Sequence, residues 1–446
     1  MDICNVPCGS YLDVAKRDGV GHFAKHSLNQ ARRGVTALTK RLLLVGGEDH
    51  HLRIPFMLAV AARGYRLTAA GTGDADPFRS AGLDYHRFTF DRFVNPLADW
   101  AAIRSLSKLL ADVRPDLVQS FDTKPNVLVP FAARGTHGIL VVRTINGLGW
   151  IYSSRSPLAL ALAPAYRALH RLAARYTDFT VFQNRDDQTF FERHRMLYAG
   201  TGRLIAGSGI DVAGFERSAA SGLDRTALRE KLGLGMSEVV ITVTRMTRQK
   251  GIPTLLEAAA LVHRVRPQVR FLLVGPRQSE GPLAVSQAEI DRHAPYVTLL
   301  GQRSDVPALL AAADVFAFPT EYREGVPRAI LEAALSGLPI VTTRMPGCTD
   351  VIRDGWNGYI VPTHSPSALA ARIIDLLDDR QNAHLMRRRA AALVRREFNL
   401  DVTVERYVTL YRELMARRVS GVGREPSHRH HATNLDDDPL CLFSRE

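Results

Sequence analysis

The sequence predicts an α/β protein made of two doubly wound, Rossmann-like lobes that face a cleft. Three observations lead there. The chain has 446 residues, too many for one ordinary hydrophobic core, so two domains are expected. Short apolar runs that end in glycine alternate with helical patterns, the β–α–β signature of parallel sheets. That series runs twice, broken by the small-residue stretch IAGSGIDVAGFE at 205–216.

Order is expected from about residue 39. KRLLLVGGEDHH (40–51) reads as a strand that ends in Gly46 and Gly47. RIPFMLAVAARG follows as a helix closed by Gly64, and YRLTAAG (65–71) is the next strand. A helix at about 97–112, the strand PDLVQSF (115–121), a further helix and the strand GILVVRTI (138–145) come next. A helix at 157–175 and the strand DFTVFQN (178–184) follow, and DDQTFFERHR opens a helix with an acidic first turn. The second series starts at EVVITVTRM (238–246). It continues with a helix at 252–265, strands RFLLVG (270–275) and VTLLG (297–301), and a helix at 305–312. Strand DVFAFPT (314–320), a helix at 327–336, strands PIVTT (339–343) and GYIVP (358–362), and a helix at 366–379 complete it. A last helix, about 402–418, is expected to cross back onto the first lobe. The chain thus divides into a weakly ordered extension 1–38, a first lobe 39–205, a second lobe 206–400, a crossover helix 401–420 and a disordered tail 421–446. LGLGMSE (232–238) precedes a strand rather than following one, so it is a turn and not a dinucleotide fingerprint.

Hydrophobic content of 46% and charged content of 23% are ordinary for a soluble globular protein. No stretch reaches the roughly 18–20 apolar residues that span a bilayer, and the first twenty residues lack the apolar core of a signal peptide. Cys4, Cys8, Cys348 and Cys441 are scattered, so free thiols in a reducing cytoplasm are expected rather than a zinc site. The net charge of +13 is uneven: residues 1–205 carry 27 Lys+Arg against 17 Asp+Glu, and 206–446 carry 31 against 28. The basic first half predicts an anionic partner, an acidic membrane surface or nucleic acid. An aromatic content of 7% and dispersed arginines argue against nucleic acid.

In open α/β sheets, ligands bind outside the carboxyl ends of the strands. Three second-lobe loops would meet at one such edge. The first carries Arg245, Lys250 and Gly251, the second Gly275 and Pro276, and the third lies in FPTEYREGVPRAILEAALSGLPIVTT (318–343). Two cations, glycine turns and a helix N-terminus suit a diphosphate. In the third loop Gly325 lets the backbone approach a ligand, and Pro327 is expected in the first helical turn, where its missing N–H costs nothing. Glu332 would lie roughly 8 Å along the helix axis. Glu324 and Glu332 then suit hydroxyls on two different sugars; alternatively Glu332 pairs with a cation or caps a neighbouring loop.

TRMTRQKG, FLLVGP, the run from LLGQRSDVPALL to LPIVTT, and GCTDVIRDGWNGYIVP fall in order across 238–379. Together they strongly resemble the retaining glycosyltransferases of the GT-B type, the large family four. TEYREGVPR and TRMPGCTDVI look most like members that extend polyprenyl-diphosphate-linked sugars in bacterial surface-polysaccharide assembly. The resemblance implies that the second lobe binds a nucleotide-sugar, a UDP-sugar foremost. Arg245 and Lys250 would hold its diphosphate, Glu332 the ribose hydroxyls, and Glu324 with Arg323, Gly325, Val326 and Pro327 the transferred sugar. Gly275, Pro276, Gly301 and Gln302 complete the donor side, with 301–304 the loop nearest the base. The resemblance also implies that no metal is needed, because Arg245 and Lys250 neutralise the departing diphosphate. It implies retention by front-face attack assisted by the donor phosphate, with Glu324 binding sugar rather than acting as a nucleophile.

The first lobe would take a lipid-linked saccharide acceptor. Gly46, Gly47, His51, Lys124 and Arg143 are its candidate residues, Gly46 and Gly47 by backbone contact near the donor phosphate, Lys124 and Arg143 at an acceptor diphosphate. Many relatives have a histidine in the loop SFDTKPN (120–126); Phe121, Asp122 and Lys124 stand there in this chain, which leaves the general base unassigned. RSPLALALAPAYRALHRLAARY (155–176) mixes an apolar stripe with Arg155, Arg167, Arg171 and Arg175. That suits a helix lying on an anionic leaflet; a core helix with a basic solvated face is the alternative. A cytoplasmic enzyme, peripheral on the inner face of the plasma membrane, is expected. A nucleotide-sugar epimerase has two similar lobes but lacks Arg245 and Lys250 arranged with the Glu-x7-Glu loop.

Overall fold

The computed structural model describes residues 39–90, 95–153, 156–222, 224–277, 281 and 283–420. The expected extension at 1–38 and tail at 421–446 lie outside these residues, as do Cys4, Cys8, Cys441 and Arg155. Two parallel sheets carry the fold. The first contains β1 (Arg41–Val45), β2 (Arg66–Gly71), β3 (Asp84–Arg87), β4 (Leu117–Phe121), β5 (Leu140–Ile145), β6 (Phe179–Phe182) and β7 (Gly202–Leu204), ordered β3-β2-β1-β4-β5-β6-β7. The second contains β8 (Val239–Val243), β9 (Arg270–Val274), β10 (Val297–Gly301), β11 (Val315–Phe318), β12 (Ile340–Thr343) and β13 (Tyr359–Val361), ordered β10-β9-β8-β11-β12-β13.

Helices cover both faces of each sheet, so the central strands are buried on both faces and mostly apolar, with Gln119 and Ser120 in β4 and Arg143 and Thr144 in β5 as buried polar exceptions. In β1, Leu42 and Leu44 pack into one cluster while Leu43 and Val45 pack into another. In β8, Val239 and Ile241 face one core and Val240 the opposite one. Strand order reverses between β1 and β4, and again between β8 and β11. These switch points open the crevices in which doubly wound sheets bind ligands.

The last helix, Leu400–Val419, returns to the first lobe. Its Val404, Tyr407, Val408, Leu410 and Tyr411 join the cluster that contains Leu42 and Leu117, and the Tyr411 hydroxyl donates to Gln119 Oε1. Among the elements that the sequence does not predict, which include the short helices Val212–Ala220 and Arg225–Lys231, two strands and one longer helix have a clear physical reason. β3 is an exposed edge strand with no apolar run, and β7 has three residues. Helix Arg380–Glu397 is crowded with arginine, yet Ala383, Met386, Ala390, Leu393 and Val394 form its buried stripe at helical spacing.

Two buried histidines make the first lobe sensitive to acid. His50 is 1% exposed, with Nε2 3.1 Å from the Leu44 carbonyl. Burial, then the Arg53 charge, pushes its pKa down to about 3. His170 is fully buried, and burial, then Arg143, holds it well below the usual value. An unfolded histidine titrates near about 6.5, so below that pH the unfolded chain binds more protons and stability falls with pH. The loss approaches about 1.4 kcal/mol per pH unit for each histidine as the pH drops from about 6.5. Thermal unfolding between about pH 7 and pH 5 is expected to show this decline, made shallower by His50→Gln. An unchanged slope in that variant would refute the assignment to His50.

Candidate active site

Residues 319–327 leave the carboxyl end of β11 and lead into helix Arg328–Leu335. Glu324 hangs in this loop. Its Oε1 accepts from Lys250 Nζ at 2.5 Å and from Thr320 Oγ1 at 3.1 Å. Lys250 is 6% exposed and ends the short turn Arg248–Lys250 that follows β8. Its ammonium lies 5.3 Å from the Tyr322 ring centroid. An ammonium this buried requires a carboxylate partner. Gly251 comes next at φ 69°, where a Cβ would stand 1.9 Å from the Pro319 carbonyl oxygen. Only glycine lets the Lys250 turn lie against the end of β11.

The loops after β8, β9 and β10 are knitted together. Met246 N–H donates to the Pro276 carbonyl at 2.9 Å, and Gly275 N–H donates to that of Gly301 at 2.8 Å. Half-buried Arg245 and exposed Gln302 sit on these loops. Arg245, Lys250, Gly275, Pro276, Gly301 and Glu324 therefore share one sheet edge. Glu332 accepts from Arg328 Nε at 2.8 Å, so the structure shows it in the cation pair that the sequence left as one alternative. Pro327 is corrected by one position: it is the N-cap, at φ −67° and ψ 120°, and the helix starts at Arg328. Its extended ψ keeps it outside the first turn.

The same loop joins the lobes. Gly325 N–H donates to the Asn146 carbonyl at 2.8 Å, so this amide serves lobe contact. Asn184 Nδ2 donates to the Glu324 carbonyl at 3.1 Å, and Arg323 N–H donates to Ser153 Oγ at 2.8 Å. The Arg323 guanidinium reaches the fully buried Asp187 at 3.2 Å. A Cβ on Gly325 would lie 2.4 Å from Gln183 Oε1, a measure of how closely Val326 and its neighbours are held to the first lobe.

The first-lobe switch point faces this loop. Asp122 sits there in the left-handed region, at φ 69°. It accepts from Gly47 N–H at 2.9 Å, Arg53 at 3.0 Å and Asn146 Nδ2 at 2.7 Å. Burial alone would raise its pKa, but Arg53, Gly47 and Asn146 outweigh burial and hold it below the ordinary value. Asp122 is thus an ionised anchor, and Asn146 relays its position to Gly325. The sequence predicts neither as a site residue. A left-handed Asp in a strand-end loop has no local signature.

The expected acceptor-side residues fare unequally. Gly46 N–H donates to the Ala70 carbonyl at 3.0 Å, and that of Gly47 is taken by Asp122. Both amides are engaged inside the lobe, which corrects the expected contact with the donor phosphate. Gly46 instead makes room for His50, whose Nδ1 would lie 2.1 Å from an added Cβ. His51 is exposed beside it. Lys124 pairs with Asp99 at 2.6 Å. Arg143 is corrected outright. It is fully buried and donates to the Met196 carbonyl at 3.0 Å and Thr180 Oγ1 at 3.2 Å, and burial lowers its pKa to about 10. It is a core strut within β5 and does not line the cleft. Cys348 is a buried free thiol pushed up to about 12 by burial, so it is no nucleophile.

Two facing doubly wound lobes, with a cation–carboxylate cluster at one switch point, define the class: a glycosyltransferase of the GT-B type. Residues 237–379 match the family model described as "Glycosyl transferases group 1", and 56–201 match "Glycosyl transferase 4-like domain"; the chain belongs to that glycosyltransferase family. It is 26% identical over 369 residues to the N,N'-diacetylbacillosaminyl-diphospho-undecaprenol alpha-1,3-N-acetylgalactosaminyltransferase of Campylobacter jejuni, covering 82% of this chain and 96% of that relative. It is 26% identical over 335 residues to the UDP-Gal:alpha-D-GlcNAc-diphosphoundecaprenol alpha-1,3-galactosyltransferase of Escherichia coli, covering 74% and 84%. Among solved structures, Anabaena HepE in complex with UDP superposes with a TM-score of 0.68 at 21% identity, over 84% of this chain and all of that one. Sucrose-phosphate synthase from Thermosynechococcus elongatus superposes with a TM-score of 0.71 at 21% identity, over 84% and 99%.

Proposed function

We propose that the chain transfers a sugar from a UDP-sugar to a lipid-diphosphate-linked saccharide, with retention, in cell-surface polysaccharide synthesis. The observation that carries this is the buried Lys250–Glu324 pair at the second switch point, with Arg245 on the same edge. Departure of the sugar leaves negative charge on the diphosphate, and preorganised cations stabilise it. Glu324 holds hydroxyls of the transferred sugar. Glu332, released from Arg328, takes the ribose hydroxyls. Asp122 is held ionised by Arg53, Gly47 and Asn146 and is a poor base, which favours front-face attack with the donor phosphate receiving the acceptor's proton. No metal step enters. The Campylobacter jejuni and Escherichia coli relatives, both named for diphospho-undecaprenol-linked sugars, support such an acceptor here, and the second, named for UDP-Gal, supports UDP.

Helix Pro157–Ala174 favours work at a membrane surface. Ala159, Tyr166, His170 and Ala173 face inward. Leu158, Leu160 and Leu169 face out, at 60%, 65% and 46% exposure. The outer face is therefore apolar rather than a basic solvated one, with Arg171 and Arg175 exposed near its end. Leu97 and Trp100, near the start of helix Pro96–Val113, are also exposed. Both helices start at the carboxyl edge of the first sheet, beside the cleft. Among the described residues no helix is long and apolar enough to cross a membrane. A peripheral position on the cytoplasmic leaflet fits these features.

A panel of nucleotide-sugars tests the donor: one UDP-sugar is expected to raise the melting temperature selectively. Transfer from it to a polyprenyl-diphosphate-linked acceptor, in anionic liposomes that sediment the protein at low salt, is expected to preserve the anomer. No response to any nucleotide sinks the assignment, an inverted product removes retention, and failure to sediment removes the membrane.

A further inference from the structure

Beside the Glu324 loop the two lobes enclose a second cleft, of about 490 Å³, within the usual range for small-molecule sites. Tyr152 and Ser153 come to it after β5, Asp186 after β6, Glu321 and Arg323 after β11, and Arg344 after β12. The donor edge draws instead on the loops after β8, β9 and β10, and on Glu324.

The two arginines carry the argument. Arg344 is exposed and, among the described residues, makes no side-chain hydrogen bond or ion pair. Arg323 uses one guanidinium nitrogen on Asp187, while its buried Nε has no partner. Glu321 offers little competition for either, since its Oε1 is tied to Thr254 Oγ1 at 3.0 Å and His364 Nδ1 at 2.9 Å. The acceptor diphosphate expected at Lys124 and Arg143 needs other cations, because Arg143 is in the core and Lys124 is paired with Asp99.

The cleft also stands where an amphiphile needs it. The Tyr152 hydroxyl donates to the Ala163 carbonyl at 3.2 Å, which ties one wall to helix Pro157–Ala174 and its exposed Leu158 and Leu160. On the opposite side Arg323 is the neighbour of Glu324. Apolar surface, paired guanidiniums, hydroxyl-binding groups and the reacting centre thus follow one another, as a lipid-linked sugar requires.

We propose that this cleft is the acceptor site: Arg344 and Arg323 take the lipid diphosphate, Ser153 and Asp186 take hydroxyls of its first sugar, and the lipid chain lies along the apolar helix face. The inference rests on the glycosyltransferase reading above and adds the place of the acceptor. Farnesyl diphosphate, titrated calorimetrically into the full chain with and without saturating UDP, tests it. Binding is expected in both conditions, more tightly than inorganic diphosphate. Arg344→Ala is expected to weaken farnesyl diphosphate at least tenfold and leave UDP affinity and melting temperature unchanged; Arg344→Lys restores part of the loss. Competition by UDP, absence of farnesyl diphosphate binding, or an Arg344→Ala variant with parental affinity overturns the site. Those results leave the donor assignment standing, which falls only if UDP and every other nucleotide fail to bind.

Discussion

Replacing Lys250 or Glu324 by alanine is expected to cut sugar transfer at least tenfold in each case, a loss of about 1.4 kcal/mol or more of transition-state stabilisation. The two side chains form one unit at 2.5 Å, with Lys250 6% exposed. Without Lys250, Glu324 keeps Thr320 but the departing diphosphate loses a cation that water does not replace. Without Glu324, a nearly buried ammonium has no counter-charge, the costly case for a broken ion pair. Because the residues act together, the double variant should fall within a few-fold of the worse single one rather than at the product of both losses. The measurement is kcat/KM with the donor found by the nucleotide panel, alongside melting temperatures. Near-parental turnover in both single variants would refute this site.

Gly347→Ala is expected to abolish most transfer through backbone alone. Gly347 has φ 81°, and a Cβ there would stand 1.7 Å from the Gly325 carbonyl oxygen. Neither partner is a flexible side chain, so the loop bearing Glu324 must move. That movement breaks the bond from Gly325 to Asn146 and swings Glu324 off Lys250. Transfer should drop at least a hundredfold, equivalent to about 2.7 kcal/mol, on top of about 1–3 kcal/mol of backbone strain in stability. Gly355→Ala is the control. Gly355 has φ 71° with nothing within 4 Å of an added Cβ, so it carries the strain without the collision. Equal turnover in the two variants would show that contact between the 347 and 325 loops does not position Glu324.

Much of the donor edge is legible in the sequence because its residues lie at the ends of strands that announce themselves. RLLLV, VVITV and VFAF are apolar but for Arg41 and Thr242, as strands covered on both faces tend to be, and a loop bearing Gly, Lys or Glu follows each. Arg143 escaped the same reasoning. A polar residue in a buried strand lies in the core when distant partners satisfy it, and its partners Thr180 and Met196 come from later segments. Asp122 and Asn146 escaped because their role exists only once the ends of β4 and β5 lie side by side.

Local order in this chain therefore follows from apolar periodicity and from glycines at turns, both encoded over a few residues. Periodicity is enough to set two parallel sheets, their switch points and the loops at their carboxyl ends. The pairing of Lys250 with Glu324, the bridge from Asp122 through Asn146 to Gly325, and the cleft with unpaired Arg344 depend on which loops meet. Those meetings are set by sheet order and by the docking of one lobe against the other. Ion pairs and hydrogen bonds between distant segments leave no periodic trace, so folding alone chooses among the charges that the sequence offers.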